Sequence, residues 1–200
     1  MTEVTNMTRQ LSTIRTRDDR EIPVPGEYTI DAAHTSVEFV GRHLMITKVR
    51  GRFPRVTGLV TIDEDPARSH VEATIETASL ETGDPQRDAH LRGEDFFDVE
   101  AFPTITFRST KVEAAPDGAW TVTGDLMVRD VTRPVALEVA FEGANVSPVG
   151  DERIAFSAAV DIDREDWGLT WNVALETGGW LVAKRVRIEL NVQAVASARP

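Results

Sequence analysis

Polar and apolar residues alternate almost without interruption in the last part of the chain. Between Arg153 and Asp163 the even-numbered positions are Ile, Phe, Ala, Val and Ile, whereas the odd-numbered ones are polar or small. The same alternation returns from Arg185 to Ala194. Successive side chains of a strand point to opposite faces, so a period of two over about ten residues is typical of a half-buried antiparallel strand. Each segment is therefore predicted to be a strand with one apolar face.

The chain after residue 26 repeats this pattern, interrupted by turns that contain Pro and Gly. Strands joined by short turns predict an all-β protein, either a sandwich or a closed barrel. One long segment contains Gly51, Pro54 and Gly58, which predict bends that let a sheet curl shut. The predicted strands are 26–31, 35–43, 48–62, 70–80, 103–114, 119–128, 133–143, 153–163 and 179–195.

A short helix is predicted where the strand rhythm stops. Asp84 fits the N-cap position, Pro85 fits the first helical position, and Gly93 fits the end. This gives a helix of about two turns, which is too short to cover a sheet. We expect it to cover one end of a barrel.

Domain boundaries follow from the polar N-terminus. Residues 1–24 are polar and mixed in charge, and Pro23 and Pro25 lie at their end, which predicts a flexible arm before a barrel domain at 25–196 and a tail at 197–200. The arm has no apolar signal-peptide region, so a cytoplasmic location is expected. No segment approaches the roughly 18 apolar residues of a spanning helix.

Charge and cysteine content narrow the function. The chain has 33 acidic and 22 basic residues, a formal net charge of -11 and no cysteine. An acidic surface repels phosphate backbones, so nucleic acid is not an expected partner. The absence of cysteine excludes disulfides, thiolate nucleophiles and sulfur-ligated metals.

Candidate catalytic chemistry is sparse. The histidines are His34, His43, His70 and His90, and none of their spacings is that of a metalloprotease helix. The sequence has no G-x-S-x-G elbow, Walker loop or G-x-G-x-x-G turn. No metal site and no enzymatic activity are therefore predicted. The alternative from another class is a hydrolase or isomerase that uses His34, His43 and His90 together.

Five segments together resemble the YceI-like polyisoprenoid-binding family. They are YTIDAAHTSVEFVGRHL (28–44), VRGRFPRVTGLVTID (49–63), RDAHLRGEDFFDVEAFPTITFRST (87–110), VTGDLMVRDVTRPVAL (122–137) and IDREDWGL (162–169). The resemblance implies an extended, lipocalin-like antiparallel barrel of eight strands with a short helix covering one end. It also implies an apolar pore that holds a long isoprenoid tail. Many relatives carry a secretory signal, whereas this chain begins with a polar arm.

Another departure from the family pattern lies in a predicted hairpin, where Asp130 replaces a common glycine. Asp tolerates left-handed backbone better than most residues, so the hairpin is expected to survive.

The resemblance and the apolar strand faces together select the candidate site residues. Small residues at mid-strand, such as Gly124 and Ala158, are expected to leave room for a slender chain. His34, His43, Arg87 and His90 match the family's histidine and R-D-x-H-L motifs, together with Leu91, and are candidates for headgroup contact or a structural role at the barrel mouth. The predicted lumen residues are Val37, Phe39, Val71, Ile75, Ile105, Phe107, Trp120, Val122, Leu137, Val139, Phe141, Phe156, Val160, Trp171, Ile188 and Leu190.

The expected partner is a long-chain apolar small molecule, such as a quinone or a polyprenyl derivative, and no other cofactor is expected. Fatty acids and carotenoids remain alternatives because the same lumen would accept them. Transient membrane contact and a homodimer are left open. Trp171 is also left open, since it could plug the barrel end or line a ligand entrance.

Overall fold

A computed structural model describes residues 13–116, 118–176 and 179–197. Strands dominate this part of the chain, and one α-helix is found in it, α1 at Pro85–Arg92. The strands are β1 (Ile14–Arg17), β2 (Arg20–Pro23), β3 (Gly26–Ile30), β4 (Ser36–His43), β5 (Thr47–Arg52), β6 (Val56–Ile62), β7 (His70–Glu76), β8 (Thr104–Ala114), β9 (Trp120–Val128), β10 (Val131–Val146), β11 (Glu152–Asp163) and β12 (Arg185–Ala196).

Strands β3 to β12 form a closed antiparallel barrel. The order around it is β11, β10, β9, β8, β7, β6, β3, β12, and β12 returns to pair with β11 along its whole length. Strand β12 pairs with β4 and then with β3 on its other edge, because β3 and β4 follow one another in a single strand position. Strands β5 and β6 share the next position. The predicted eight-stranded barrel is confirmed.

Two successive strands share one position in the barrel where the backbone between them leaves the hydrogen-bonded sheet. Asp31 ends β3 by accepting a hydrogen bond from the Ala33 N–H at 3.0 Å, which caps a short 3-10 turn before β4. Pro54 lies between β5 and β6, where it cannot donate to a ladder. The single strand predicted at 48–62 is therefore two strands with the expected bend between them. The last strand begins at Arg185, because residues 179–184 make only isolated bridges.

The β9–β10 hairpin keeps a tight turn without glycine. Val128 pairs with Val131, and the two residues between them, Arg129 and Asp130, have φ values of 51° and 59°. Both central residues are left-handed, as a type I′ turn requires. The expectation that Asp130 preserves this hairpin is confirmed.

Alternate connections place different elements at the two ends of the barrel. Helix α1 and the β4–β5, β9–β10 and β11–β12 connections lie at one end, called here the helix end. The β6–β7, β8–β9 and β10–β11 connections lie at the other, called the hairpin end because the β1–β2 hairpin lies against it. No helix among the described residues is both long and apolar enough to cross a membrane.

The β1–β2 hairpin corrects part of the predicted flexible arm. Arg15 donates to the Asp63 carbonyl at 2.6 Å, and Arg20 donates to the Ala115 carbonyl at 2.6 Å. Ile22 is only 3% exposed. These contacts order residues 14–23 against the barrel, whereas residues 1–12 of the predicted arm lie outside the described part.

Candidate functional site: an apolar cavity through the barrel

The inward faces of the strands enclose a cavity of about 1140 Å³. It reaches from His43 and His90 at the helix end to Pro23 and Trp120 at the hairpin end. All the predicted lumen residues named above line its wall, including Trp171. Their contact with a ligand stays a prediction. A cavity of this size exceeds the roughly 300–1,000 Å³ of typical small-molecule pockets, so it suits a long guest.

Small residues contribute unequally to this space. Ala158 lies in the middle of β11 and lines the cavity, as expected. Gly124 does not leave room for a guest, because a Cβ atom there would lie 2.5 Å from the Phe107 ring and 2.6 Å from the Arg108 carbonyl oxygen. The expectation for Gly124 is therefore wrong, since the Phe107 ring occupies the space that the glycine vacates.

Polar groups concentrate near the two ends of the cavity, while its middle is lined by aliphatic and phenylalanine side chains. At the helix end the polar lining residues include His43, Arg87 and His90. A long apolar molecule can keep its tail in the middle of such a cavity and find hydrogen-bond partners for a polar group at either end.

Helix α1 is fixed at the mouth by polar contacts at its N-terminus. Asp84 accepts hydrogen bonds from the Gln86 and Arg87 N–H groups at 3.0 and 3.1 Å, and the bond from Arg87 is the main cause of a lowered Asp84 pKa. Thr82 donates through its backbone N–H to buried Asp88 at 2.8 Å. The Arg87 Nε donates to Thr82 Oγ1 at 2.7 Å. The predicted helix, with its cap and its end at Gly93, is present.

An aromatic cluster lies beside this helix. The His90 ring packs edge-on against Trp171, with centroids 4.6 Å apart, and against Phe96, with centroids 5.1 Å apart. His90 Nε2 lies 2.9 Å from an Asp95 carboxylate oxygen. Trp171 thus forms part of the helix-end wall together with His90. Both rings line the cavity, so a guest at this end would meet them.

Trp167 and Arg164 close the wall below the β11–β12 connection. Trp167 is 3% exposed and its indole N–H donates to the Leu126 carbonyl at 3.0 Å, so the ring is fixed in the wall at the helix end. Buried Arg164 donates to the carbonyls of Ala183 and Leu169. Burial lowers the pKa of this guanidinium. Arg164 belongs to the segment IDREDWGL, and nothing in that sequence predicts its burial.

The hairpin end contributes two lining residues that sequence reasoning missed. Ile22 and Pro23 of β2 line the cavity, so the β1–β2 hairpin forms part of its wall. Arg20 also lies over the Trp120 ring, with its guanidinium carbon 5.6 Å from the centroid. The signal that could have found this closure is Ile22 itself, an apolar residue followed by Pro23 in an otherwise polar segment.

His34 lies apart from the other mouth candidates. It is exposed, its Nδ1 lies 2.8 Å from an Asp31 oxygen, and it does not line the cavity. Asp31 also accepts from Arg153 at 2.6 Å, and this bond, followed by the one with His34, lowers the pKa of Asp31. Strand β4 separates His34 from His43 by about 25 Å at about 3.4 Å per residue.

The structure therefore does not bring His34, His43 and His90 together as one acid/base group, and the placement of His34 at the barrel mouth is wrong. Within the described residues, no group of three or more His, Cys, Asp or Glu side chains is arranged to hold a metal ion.

Comparison with known proteins places these features in a family. A family model described as the YceI-like domain matches residues 28–194. This chain belongs to the YceI-like family. A UPF0312 protein of Staphylococcus aureus strain MSSA476 is 34% identical over 168 residues, which cover 83% of this chain and 95% of that protein. The UPF0312 protein of strain USA300 matches with the same identity and coverage.

Solved structures show the same YceI-like fold. BcnA of Burkholderia cenocepacia is 24% identical, with a TM-score of 0.70 over 82% of this chain and 99% of that chain. The YceI protein of Campylobacter jejuni is 27% identical, with a TM-score of 0.66 over 78% and 90%. A polyisoprenoid binding domain from Saccharophagus degradans is 16% identical, with a TM-score of 0.65 over 85% and 98%.

Proposed function

We propose that this YceI-like protein binds a long isoprenoid lipid in its barrel and stores or carries it without chemical change. The observation that carries the proposal is the apolar cavity of about 1140 Å³ that runs between the two ends of the barrel. Membership of the family supports it, as does the likeness to a polyisoprenoid binding domain. The guest would be a prenyl quinone or a polyprenyl derivative.

The apolar wall accounts for affinity more easily than for choice of guest. Burial of one five-carbon isoprene unit contributes about 4 kcal/mol at about 0.8 kcal/mol per CH₂, before ordering costs. A few units approach the practical ceiling of about 18–21 kcal/mol. Discrimination between tail lengths must therefore come from the depth of the cavity. Strand β12 has 12 residues, so at about 3.4 Å per residue and a tilt of about 40° the barrel is about 30 Å deep.

The two ends favour one orientation of the guest. At the hairpin end the lining combines apolar Ile22 and Pro23 of β2 with the polar residues Thr61, Ser69 and His70, and among the described residues it contains no guanidinium. The helix end offers the polar side chains of His43, Arg87 and His90. The tail would therefore point toward the hairpin, and the polar end of the lipid would stay near α1, where hydrogen-bond donors are available.

Native mass spectrometry and solvent extraction of the purified protein test this proposal. We expect an isoprenoid lipid to be recovered in a ratio near one to one. Displacement of a labelled prenyl quinone should be efficient with unlabelled quinone of the same tail length and weak with a fatty acid. Equal displacement by a fatty acid would support the broader apolar carrier, and a protein that neither contains nor takes up any apolar molecule would refute the proposal.

The location of this carrier is a separate proposal. We propose that it works in the cytoplasm. Fractionation of cells, followed by detection of the full chain, tests this directly.

A further inference from the structure

Large apolar side chains are exposed side by side at the helix end. Leu44, Met45 and Ile46 form the tip of the β4–β5 hairpin and are 40%, 52% and 77% exposed. Val173 and Trp180, from the β11–β12 connection, are also exposed. These five residues are called here the apolar tip. Exposed single apolar residues are ordinary, but a contiguous group marks an interaction surface.

Backbone contacts join the two parts of the apolar tip. The Leu44 N–H donates to the Leu181 carbonyl at 2.8 Å, and the Leu181 N–H donates to the Val173 carbonyl at 2.9 Å. Leu44 and Met45 hold left-handed conformations, with φ values of 52° and 60°. Left-handed backbone is unfavourable for residues other than glycine, so this turn exposes its apolar side chains at a cost in conformational energy.

The apolar tip is continuous with the mouth of the cavity. Thr47 follows Ile46 directly and lines the cavity, and so do Leu181 and Val182 of the neighbouring connection. On the side of the mouth formed by Leu181 and Val182, a molecule leaving the lumen would contact apolar side chains before it reaches the tip. This continuity distinguishes the tip from exposed Val149, which lies in the β10–β11 connection at the hairpin end.

Cations stand at the base of the tip. Arg42 and Lys48 are cross-strand partners in β4 and β5, and the Arg42 guanidinium lies 3.5 Å from the Ile46 carbonyl oxygen. The described part of the β11–β12 connection carries three carboxylates: Glu165 pairs with Lys184 at 2.7 Å, and Asp166 and Glu176 are exposed. In a chain of net charge -11, the two cations Arg42 and Lys48 lie directly beneath the apolar tip. Apolar and indole side chains above basic residues suit the interface of a phospholipid bilayer.

We propose that the apolar tip inserts into the surface of a phospholipid bilayer and that lipid passes between the bilayer and the lumen through the adjoining mouth. This inference rests on the proposed function, since it concerns how the cargo reaches the cavity. An isoprenoid that passed through water would expose all its isoprene units to solvent. If the mouth of the cavity contacts the bilayer directly, the tail stays in an apolar environment during transfer.

The test measures transfer of a prenyl quinone from phosphatidylcholine vesicles, with and without phosphatidylglycerol, to the full chain. Ile46→Asp and Trp180→Ser change the tip, and Val149→Asp is the matched control at the far end of the barrel. For Ile46→Asp we expect the transfer rate to fall by about tenfold or more, because a charge replaces an inserted apolar side chain. Val149→Asp should leave the rate unchanged. In the native chain, the rate should rise with vesicle concentration.

Equilibrium binding of the same quinone, added by dilution from ethanol, separates this inference from the proposed function. We expect the native chain and all three variants to bind it equally. Unchanged transfer in Ile46→Asp, or a rate independent of vesicle concentration, would overturn the inference. The inference would also be overturned if light scattering showed that Ile46→Asp dissociates a dimer while the transfer rate stays unchanged. The apolar tip would then be an interface between two copies of the chain. Failure of the native chain to bind quinone from ethanol would instead refute the proposed function.

Discussion

Obstruction of the lumen at mid-depth should abolish binding of long tails while the barrel stays folded. Ala158 lines the cavity in the middle of β11. Its cross-strand partners are Val139 in β10 and Leu190 in β12, which also line the cavity. Ala158→Trp projects an indole from this position across the path of a guest. The cavity is large enough to receive the ring, so overpacking should stay at the lower end of about 1–3 kcal/mol.

The expected loss of affinity follows from the length of tail displaced. Exclusion of even one isoprene unit removes about 4 kcal/mol of apolar burial at about 0.8 kcal/mol per CH₂. At about 1.4 kcal/mol per tenfold, the dissociation constant should rise about a thousandfold. Titration with a fluorescent or radiolabelled prenyl quinone measures this change. Short prenyl alcohols that fit on one side of the indole should lose much less.

Ala159→Trp provides the matched control, because the same substitution falls on the next residue of β11. Ala159 pairs with Glu138 and Glu189 and does not line the cavity. This variant should bind the quinone as the native chain does. Thermal unfolding of both variants checks that the barrel is intact. Native affinity in a folded Ala158→Trp variant would show that the tail does not pass the middle of the barrel, and would refute the reasoning.

Three further substitutions test the elements that support the cavity. Ile22→Ala should destabilise the β1–β2 hairpin by about 2–5 kcal/mol, seen as faster amide hydrogen exchange in β2; unchanged exchange would contradict its role as an end closure. Gly58→Ala should lower the free energy of unfolding in urea by about 1–3 kcal/mol, because the new Cβ would lie 2.3 Å from a β7 carbonyl oxygen. In the control Gly41→Ala, the new Cβ meets no described atom within 4 Å, so the free energy of unfolding should hardly change. Arg153→Met should raise the pKa of Asp31, measured by a carboxyl NMR titration, and an unshifted titration would contradict the assignment. The pKa of Asp31 is lower in the folded protein than in the unfolded chain. The ion pair therefore stabilises the native protein at pH values above the unfolded pKa, and this stabilisation is lost as the pH falls through the folded pKa.

The barrel wall was predictable because its information is local. The alternation around Phe156 and Val160 identifies inward positions within one strand, and strands that each have one apolar face must meet around a shared interior. The caps at Asp84 and Gly93 likewise need only neighbouring residues. Pattern alone left a sandwich and a barrel open, and the family resemblance decided between them.

The ends of the barrel were less predictable because they depend on contacts between distant residues. The four residues of β2 show no clear period, and Arg20 finds its carbonyl partner 95 residues away in Ala115. His34 looked equivalent to His43 in sequence, yet the turn capped by Asp31 directs it to the outer surface. The prediction that Gly124 leaves room in the lumen failed for a similar reason, because the ring of Phe107 on the neighbouring strand fills that space.

The position of the chain's described ends has a practical consequence for attaching this protein to other things. Thr13 leads into the β1–β2 hairpin, and Ser197 follows β12 and donates its N–H to Glu27 at 2.8 Å. Both therefore emerge at the hairpin end, opposite α1 and the apolar tip. A fusion partner, an affinity handle or a solid support joined directly at Thr13 or Ser197 would leave the helix end facing outward. Immobilised protein should thus still exchange cargo with passing vesicles.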